Sequence, residues 1–218
     1  GASGFITANK KVGIDRYSSS VLGFATIFQD FDLDGDPDLF VANGHIWDLT
    51  ATGREYPYRM HPHLLLNGEA NRFSLCQAGE YFHQKRLGRS AAFGDIDNDR
   101  DVDLIVTHLD DRVELLRNDV GPKDSVQFKL IGTRSARQPL GATVAIRILE
   151  EWYVSHVPSG GSFQASHDDR VVFATDGVSV LDEVRVEWPG NQAETWQEVP
   201  TREVISLIEG RSEFVLSE

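Results

Sequence analysis

The sequence predicts an all-β protein built in two parts, and three observations support that class. Nowhere do apolar residues keep the 3.6-residue period of an amphipathic helix over three turns. Short strand-like runs bounded by turn residues follow one another between residues 24 and 116. In the second half, residues 143–148 and 184–188 alternate apolar and polar side chains, as strands with one buried face do. We therefore expect repeated β-units followed by a sandwich or small barrel.

Two segments of the first half repeat each other. Residues 29–41 read QDFDLDGDPDLFV and residues 94–106 read GDIDNDRDVDLIV, each with five aspartates at alternate positions and then an apolar run. Their spacing of 65 residues suits one four-stranded unit with an insertion, such as a blade of a β-propeller. Because a propeller typically needs about four to eight blades, we expect this chain to be the C-terminal part of a longer propeller whose other blades lie upstream of Gly1.

Alternating aspartates in one loop point to calcium. Left uncompensated, five carboxylates repel one another, whereas a hard divalent cation that takes about six to eight oxygen ligands makes the same crowding favourable. The spacing also opens an EF-hand, but the twelfth position, which should be glutamate, is Val41 in the first segment and Val106 in the second. The flanks are strand-like as well. We therefore exclude an EF-hand and predict two calcium loops in a β-protein.

Charge and cysteine content exclude other classes. Ten of the 34 acidic residues lie in the two repeated segments, so most of the net charge of −13 is local. An acidic chain lacks the basic face that binding to nucleic acid requires. Cys76 is the only cysteine, which excludes an internal disulfide and a thiolate zinc site. No run approaches the roughly 18 apolar residues of a membrane span.

The acidic segments resemble FG-GAP (VCBS-type) repeats, the calcium-binding blades of integrin α-subunit propellers and of many bacterial exported proteins. Residues 64–73, LLLNGEANRF, are similar to a hairpin of that family, with Ala70 and Asn71 in place of its glycines. The resemblance implies calcium ligands at the five aspartates of each loop, the seventh position binding through its main-chain carbonyl. The implied side-chain ligands are Asp30, Asp32, Asp34 and Asp38 in the first loop and Asp95, Asp97, Asp99 and Asp103 in the second, with Asp36 and Asp101 as main-chain ligands.

The two loops differ at one position. Gly35 suits the sharp turn of the first loop, but Arg100 occupies the corresponding position of the second. A non-glycine residue in a left-handed conformation costs about 1–2 kcal/mol, and a cation close to the site opposes calcium. We expect the second site to be the weaker one. The alternative for both loops is a solvated acidic segment without metal.

The second half resembles an ASPIC/UnbV domain, a module that follows FG-GAP repeats in cartilage acidic protein and in many bacterial exported proteins. The resemblance covers residues 126–218, and its most specific part is the Trp-Pro-Gly box at 188–190. Other matching motifs are LIGTRS at 130–135, LGATV at 140–144, SGGSFQAS at 159–166 and IEG at 208–210. FATDG at 173–177 departs from the family's Phe-Gly-Leu-Gly. We assign the FG-GAP blades to residues 1–120 and place the boundary in the turn-rich stretch 118–125.

A long insertion and a histidine pair are further candidates for binding. Residues 45–62 carry Trp47, Tyr56 and Tyr58, which either pack over the propeller or contact a partner. His61 and His63 are read as loop or strand residues rather than as a transition-metal pair.

The chain carries none of the common catalytic fingerprints. We therefore predict no enzyme but an extracellular or periplasmic calcium-binding adhesion or ligand-binding module, with calcium in a structural role and a protein or carbohydrate surface as its partner. One alternative is the accessory C-terminal part of an exported, polysaccharide-active enzyme whose catalytic domain lies upstream. Another is a structural component of a surface layer.

Overall fold

A computed structural model of the protein describes residues 4–49, 52, 57–77, 79–120, 124–190 and 192–217. Its helical segments include α1 (Asn9–Val12), α2 (Asp15–Ser18) and a 3-10 helix at Glu80–His83, each of four residues. The strands are arranged in several separate sheets, and the all-β prediction is confirmed.

The N-terminal half (residues 4–120) contains two antiparallel sheets. The first is a meander of β1 (Gly23–Gln29), β2 (Asp38–Asn43), β3 (His63–Gly68) and β4 (Arg72–Cys76). The second contains β5 (Gly88–Gly94), β6 (Asp103–His108) and β7 (Glu114–Leu116). Within the described residues the second unit thus has three strands, one fewer than the four expected for a blade.

The two sheets share one pairing register. Thr26 lies opposite Val41 in the first unit, and Ala91 lies opposite Val106 in the second, each partner being 65 positions further along. Both pairings also shift register at the same place, after Gly23 and after Gly88. Such a β-bulge adds one residue to a strand and bends it. The repeat seen in the sequence is therefore a repeat of backbone geometry.

The strands of the N-terminal half are held by one apolar core. Its buried members come from the paired strands of both units and include Ile27, Phe40, Leu104 and Val106. The apolar runs after the aspartates supply β2 and β6, and burial of such side chains contributes roughly 1.5–3 kcal/mol each. The acidic loops are consequently anchored at both ends to a packed core.

The C-terminal half (residues 124–217) is a sandwich of two four-stranded sheets. One contains β8 (Ser125–Ile131), β13 (Val171–Ala174), β16 (Val204–Ile208) and β17 (Val215–Ser217), in the order β13-β8-β16-β17. The other contains β9 (Thr143–Ile148), β10 (Glu151–His156), β14 (Val180–Trp188) and β15 (Gln192–Pro200), in the order β10-β9-β14-β15. Buried side chains from both sheets, among them Phe128, Ile146 and Trp196, form a single core. The alternation of apolar and polar residues in 143–148 and 184–188 therefore corresponds to one buried face on each of these strands.

A small hairpin joins the two halves. It is formed by β11 (Gly161–Ser162) and β12 (Ala165–Ser166), and it lies against β1 and β5. The Thr26 backbone N–H donates a hydrogen bond to the Ser162 hydroxyl at 3.2 Å, and Phe163 packs edge-on against Phe24. The C-terminal half thus contacts the first strand of each acidic unit.

Candidate metal centres

Each acidic loop connects the first two strands of its unit and is folded by its own first aspartate. The Asp30 carboxylate accepts hydrogen bonds from the backbone N–H groups of Asp34 and Gly35 at 3.1 and 3.0 Å. Asp95 accepts the equivalent pair from Asp99 and Arg100, both at 3.0 Å. Because a side chain that bonds the backbone four and five residues ahead closes a tight loop, the first aspartate turns the later ones back toward itself.

The ninth aspartate ties each loop to the neighbouring hairpin. In the first unit, Asp38 accepts the N–H of Phe31 at 2.9 Å and the N–H of Asn67 at 2.8 Å. Its side chain is fully buried. A buried carboxylate with both oxygens occupied is a fixed point of the loop.

The second unit repeats this arrangement with Asn118. Asp103 accepts the N–H of Ile96 and the N–H of Asn118, each at 2.8 Å. The sequence predicts Asn118 at the start of the boundary stretch 118–125, but in the structure it donates to Asp103 as Asn67 donates to Asp38. The signal was present, since LLRN at 115–118 matches LLLN at 64–67.

The carboxylates converge in two groups. Oxygens of Asp30, Asp32 and Asp38 lie within 4.8 Å of one another, and so do oxygens of Asp95, Asp97 and Asp99. The remaining predicted ligands, Asp34 and Asp36 in the first loop and Asp101 and Asp103 in the second, lie outside these two groups. Asp34 and Asp99, at corresponding positions of the two loops, each accept the backbone N–H of the residue two positions ahead, at 2.9 and 3.2 Å.

The first loop is electrostatically unfavourable without a cation. Burial, with smaller contributions from neighbouring aspartates, raises the pKa of Asp30 to about 7 and that of Asp38 to about 6, although backbone hydrogen bonds oppose the shift. Burial and the charge of Asp34 also raise the pKa of Asp32. One Asp32 oxygen is buried and has no hydrogen-bond partner among the described residues. An all-oxygen donor set with such an oxygen fits a hard cation such as calcium.

The second loop is covered by the C-terminal half. Gln127 donates a hydrogen bond from Nε2 to the Asp95 carboxylate at 2.8 Å, and Arg170 donates one to the Asp95 main-chain carbonyl at 2.7 Å. The Arg170 guanidinium also lies 3.8 Å from an Asp95 carboxylate oxygen, and Asp95 is only 5% exposed. Neither residue could be found from sequence, because the contacts join positions 32 and 75 residues apart.

Arg100 adopts the left-handed conformation that the repeat predicts. Its φ is 75°, against 93° for Gly35 at the corresponding position. Its carbonyl accepts a hydrogen bond from the Ser125 hydroxyl at 2.8 Å, and its side chain lines a cavity between the two halves.

Two motifs of the C-terminal half meet at Glu209. One oxygen of its carboxylate accepts the backbone N–H groups of Thr133, Arg134 and Ser135, at 2.9, 2.7 and 2.7 Å. Burial alone would raise the pKa of Glu209, but these hydrogen bonds outweigh it and lower the pKa to about 2. The GTRS segment is therefore a loop that encloses the Glu209 carboxylate of the IEG segment.

The remaining turn motifs also have structural explanations. In the Trp-Pro-Gly box, Trp188 donates its indole N–H to Glu194 at 3.0 Å, and Gly190 has a φ of 103°. The FATDG segment forms a turn in spite of its departure from the family pattern, with left-handed Asp176 and Gly177.

The aromatic insertion and the histidine pair lie away from the acidic loops. Trp47 is 70% exposed, whereas the Tyr58 carbonyl accepts a hydrogen bond from the His45 N–H. Tyr56 lies outside the described residues. Burial, and then the neighbouring His61, lower the pKa of His63. In the described part of the chain, only aspartates form groups of three potential metal ligands.

These features define a class: an all-β protein in which acidic-loop repeat units precede a β-sandwich. Comparison with protein families agrees, since the FG-GAP-like repeat matches residues 30–106 and the ASPIC and UnbV family matches residues 132–214. The chain therefore carries FG-GAP-like repeats followed by an ASPIC/UnbV domain, as its motifs predicted. Both are modules of extracellular type and are typically non-catalytic. No curated protein matched the chain.

Proposed function

We propose that the protein is an extracellular calcium-binding adhesion or ligand-binding module in which calcium has a structural role. The observation that carries this proposal is the convergence of three carboxylates in each acidic loop, with oxygens within 4.8 Å of one another. Among the described residues no helix is both long and apolar enough to cross a membrane. We propose residues 1–120 as the FG-GAP blades and residues 126–218 as the ASPIC/UnbV domain.

Calcium would act on the fold through the loop ends. Asp30, Asp32 and Asp38 would hold it in the first loop, and Asp95, Asp97 and Asp99 in the second, with the other implied aspartates completing each site. Because Asp38 also accepts the Asn67 N–H, a cation bound there would connect three strands. A bound cation would neutralise the carboxylates and remove the repulsion between them that persists in the metal-free loop.

The two sites should differ in affinity. In the second loop one Asp95 oxygen already accepts a hydrogen bond from Gln127 and lies near the Arg170 cation. Both contacts compete with calcium for the same carboxylate, which supports a weaker second site. Extracellular calcium modules bind with dissociation constants of about 10⁻⁴–10⁻³ M.

The test is thermal unfolding in EDTA and in 10 mM calcium. A site with a dissociation constant near 10⁻⁴ M gives about 2.7 kcal/mol at a hundredfold excess, which corresponds to a rise in Tm of roughly 5–10 °C for a chain of this size. Asp182→Asn, which alters an exposed aspartate outside both loops, is the matched control and should keep the full calcium response. Equal melting temperatures in EDTA and calcium would remove calcium from the proposal.

Exposed Trp47 supports the ligand-binding part of the proposal. Tryptophan is enriched among residues that dominate binding interfaces, and a side chain 70% exposed contributes little to the core. The alternative, an accessory part of an exported enzyme, stays a prediction that the full gene sequence would decide.

A further inference from the structure

A polar cavity of about 540 Å³ lies between the second acidic loop and the C-terminal sandwich. Cavities of roughly 300–1,000 Å³ accommodate small ligands. Seven of its eight lining residues are polar or charged, and Val204 is the only apolar one. Such a lining favours a ligand rich in hydrogen-bonding groups.

Three cations from three separate segments line this cavity: Arg100 from the acidic loop, Lys129 from β8 and Arg170 from the segment before β13. Arg170 is already committed, since its guanidinium pairs with the Asp168 carboxylate at 2.6 Å. Arg100 and Lys129 form no ion pair and no side-chain hydrogen bond with any residue that the structure describes, and the Arg100 Nε is buried without a partner. A buried unpaired guanidinium nitrogen is costly unless something binds it.

Arg100 is also a strained choice for its position. It has a φ of 75° where the first loop has glycine, so the backbone favours a glycine here as well. Backbone strain of this kind is typically retained where the residue has a functional role. Arg100 lines the cavity and forms no ion pair with the described residues of its loop, so it is placed to bind an anion.

We propose that this cavity binds the carboxylate of an acidic sugar, with Arg100 and Lys129 as the recognising cations. Arginine presents a planar fork of donors that matches a carboxylate. Glu203, which forms no ion pair with any residue that the structure describes, would accept a hydrogen bond from a sugar hydroxyl. Because seven of the eight lining residues are polar or charged, the cavity matches the many hydroxyl groups of a saccharide. The acidic sugar would be the ligand of the binding module proposed above. Its binding in this cavity does not require calcium.

The test uses sodium D-glucuronate and its oligomers as probes, with D-glucose and sodium acetate as comparisons, measured by calorimetry and by NMR shifts of the protein. Arg100→Gly should weaken glucuronate binding at least tenfold while leaving Tm unchanged or higher, because the left-handed position is relaxed. Lys129→Gln should weaken it by a similar factor. Arg202→Gly is the matched control: Arg202 also has a left-handed φ, of 60°, but it does not line the cavity and pairs with Asp124. That variant should keep the binding of the unmodified protein.

Several results would overturn the proposal. Equal binding by Arg100→Gly and the unmodified protein would exclude Arg100 as a recognising group. Binding of glucose as tight as glucuronate would exclude charge recognition, and acetate binding as tight as glucuronate would exclude a sugar. All titrations are repeated in EDTA and in excess calcium: binding lost in EDTA would make the site a calcium bridge instead. Glucuronate binding together with a calcium-independent Tm would keep this inference and reject the structural role of calcium.

Discussion

Replacing Asp32 with asparagine separates the electrostatic cost of the first loop from its calcium affinity. Asp32 has a buried oxygen without a hydrogen-bond partner among the described residues, so the change removes charge with little loss of hydrogen bonding. Its carboxylate lies within 4.8 Å of those of Asp30 and Asp38, and at that distance each pair of charges repels by about 0.9 kcal/mol even in water. Two such pairs amount to about 2 kcal/mol. In EDTA at pH 8 we therefore expect Asp32→Asn to be more stable than the unmodified protein.

Calcium should change the comparison, because the same substitution removes a ligand. The unmodified first site contributes about 2.7 kcal/mol at a hundredfold excess of calcium. A variant whose affinity is about a hundredfold weaker would retain roughly 0.4 kcal/mol under the same conditions. The variant should thus start from a higher Tm in EDTA and rise much less when calcium is added.

Differential scanning calorimetry at pH 8, in EDTA and in 10 mM calcium, measures both effects. About 2 kcal/mol corresponds to roughly 4–8 °C for a chain of this size. A Tm of Asp32→Asn below that of the unmodified protein in EDTA, or a full calcium response of the variant, would contradict the predicted charge repulsion. Asp182→Asn should show neither effect, since it lies outside both loops.

Three further predictions concern the second loop and the C-terminal half. In calcium, Asp32→Ala should reduce the calcium-dependent rise in Tm more than Asp97→Ala does, and the reverse order would refute our ranking of the two sites. Arg170→Gln should destabilise the protein by about 3 kcal/mol in urea denaturation, because it removes a partly buried cation from the carboxylates of Asp95 and Asp168; a loss below about 1 kcal/mol, similar to that of exposed Arg185→Gln, would contradict this. Glu209→Gln should cost about 2 kcal/mol at pH 7, since a neutral amide bonds the enclosing N–H groups less strongly. The pKa of Glu209 in the folded protein is about 2, below its ordinary value of 4.5. The ionised carboxylate therefore contributes stability above pH 4.5 that is lost as the pH falls through 2, so the stabilities of the two proteins should converge in acid. A difference in stability that does not change with pH would contradict the prediction.

The sequence was sufficient for features whose information is local. Alternating aspartates followed by apolar runs predicted both loops and the strands after them, because period-two patterns and tight turns are set by neighbouring residues. Family motifs then predicted the two modules. Within the described residues the second sheet ends at β7.

Features that depend on tertiary contacts could not be predicted. Gln127 and Arg170 reach Asp95 from distant positions, and neither lies in a recognisable motif. The hairpin formed by β11 and β12 was visible only as a glycine-rich segment, with no sign that it lies against β1 and β5. Asn118 is an intermediate case. Its segment LLRN repeats the LLLN of the first unit, but the turn-forming residues that follow it favoured a domain boundary.

The matching registers of the two units have a consequence for engineering. Residues 44–62 connect β2 and β3 in the first unit, whereas only residues 109–113 connect β6 and β7 in the second. Since both units keep the same strand pairing despite this difference, the connection can vary in length without disturbing the acidic turn at the opposite end of the strands. Residues 109–113 are therefore a favourable place to graft a longer peptide, because the first unit has a longer connection at the corresponding place.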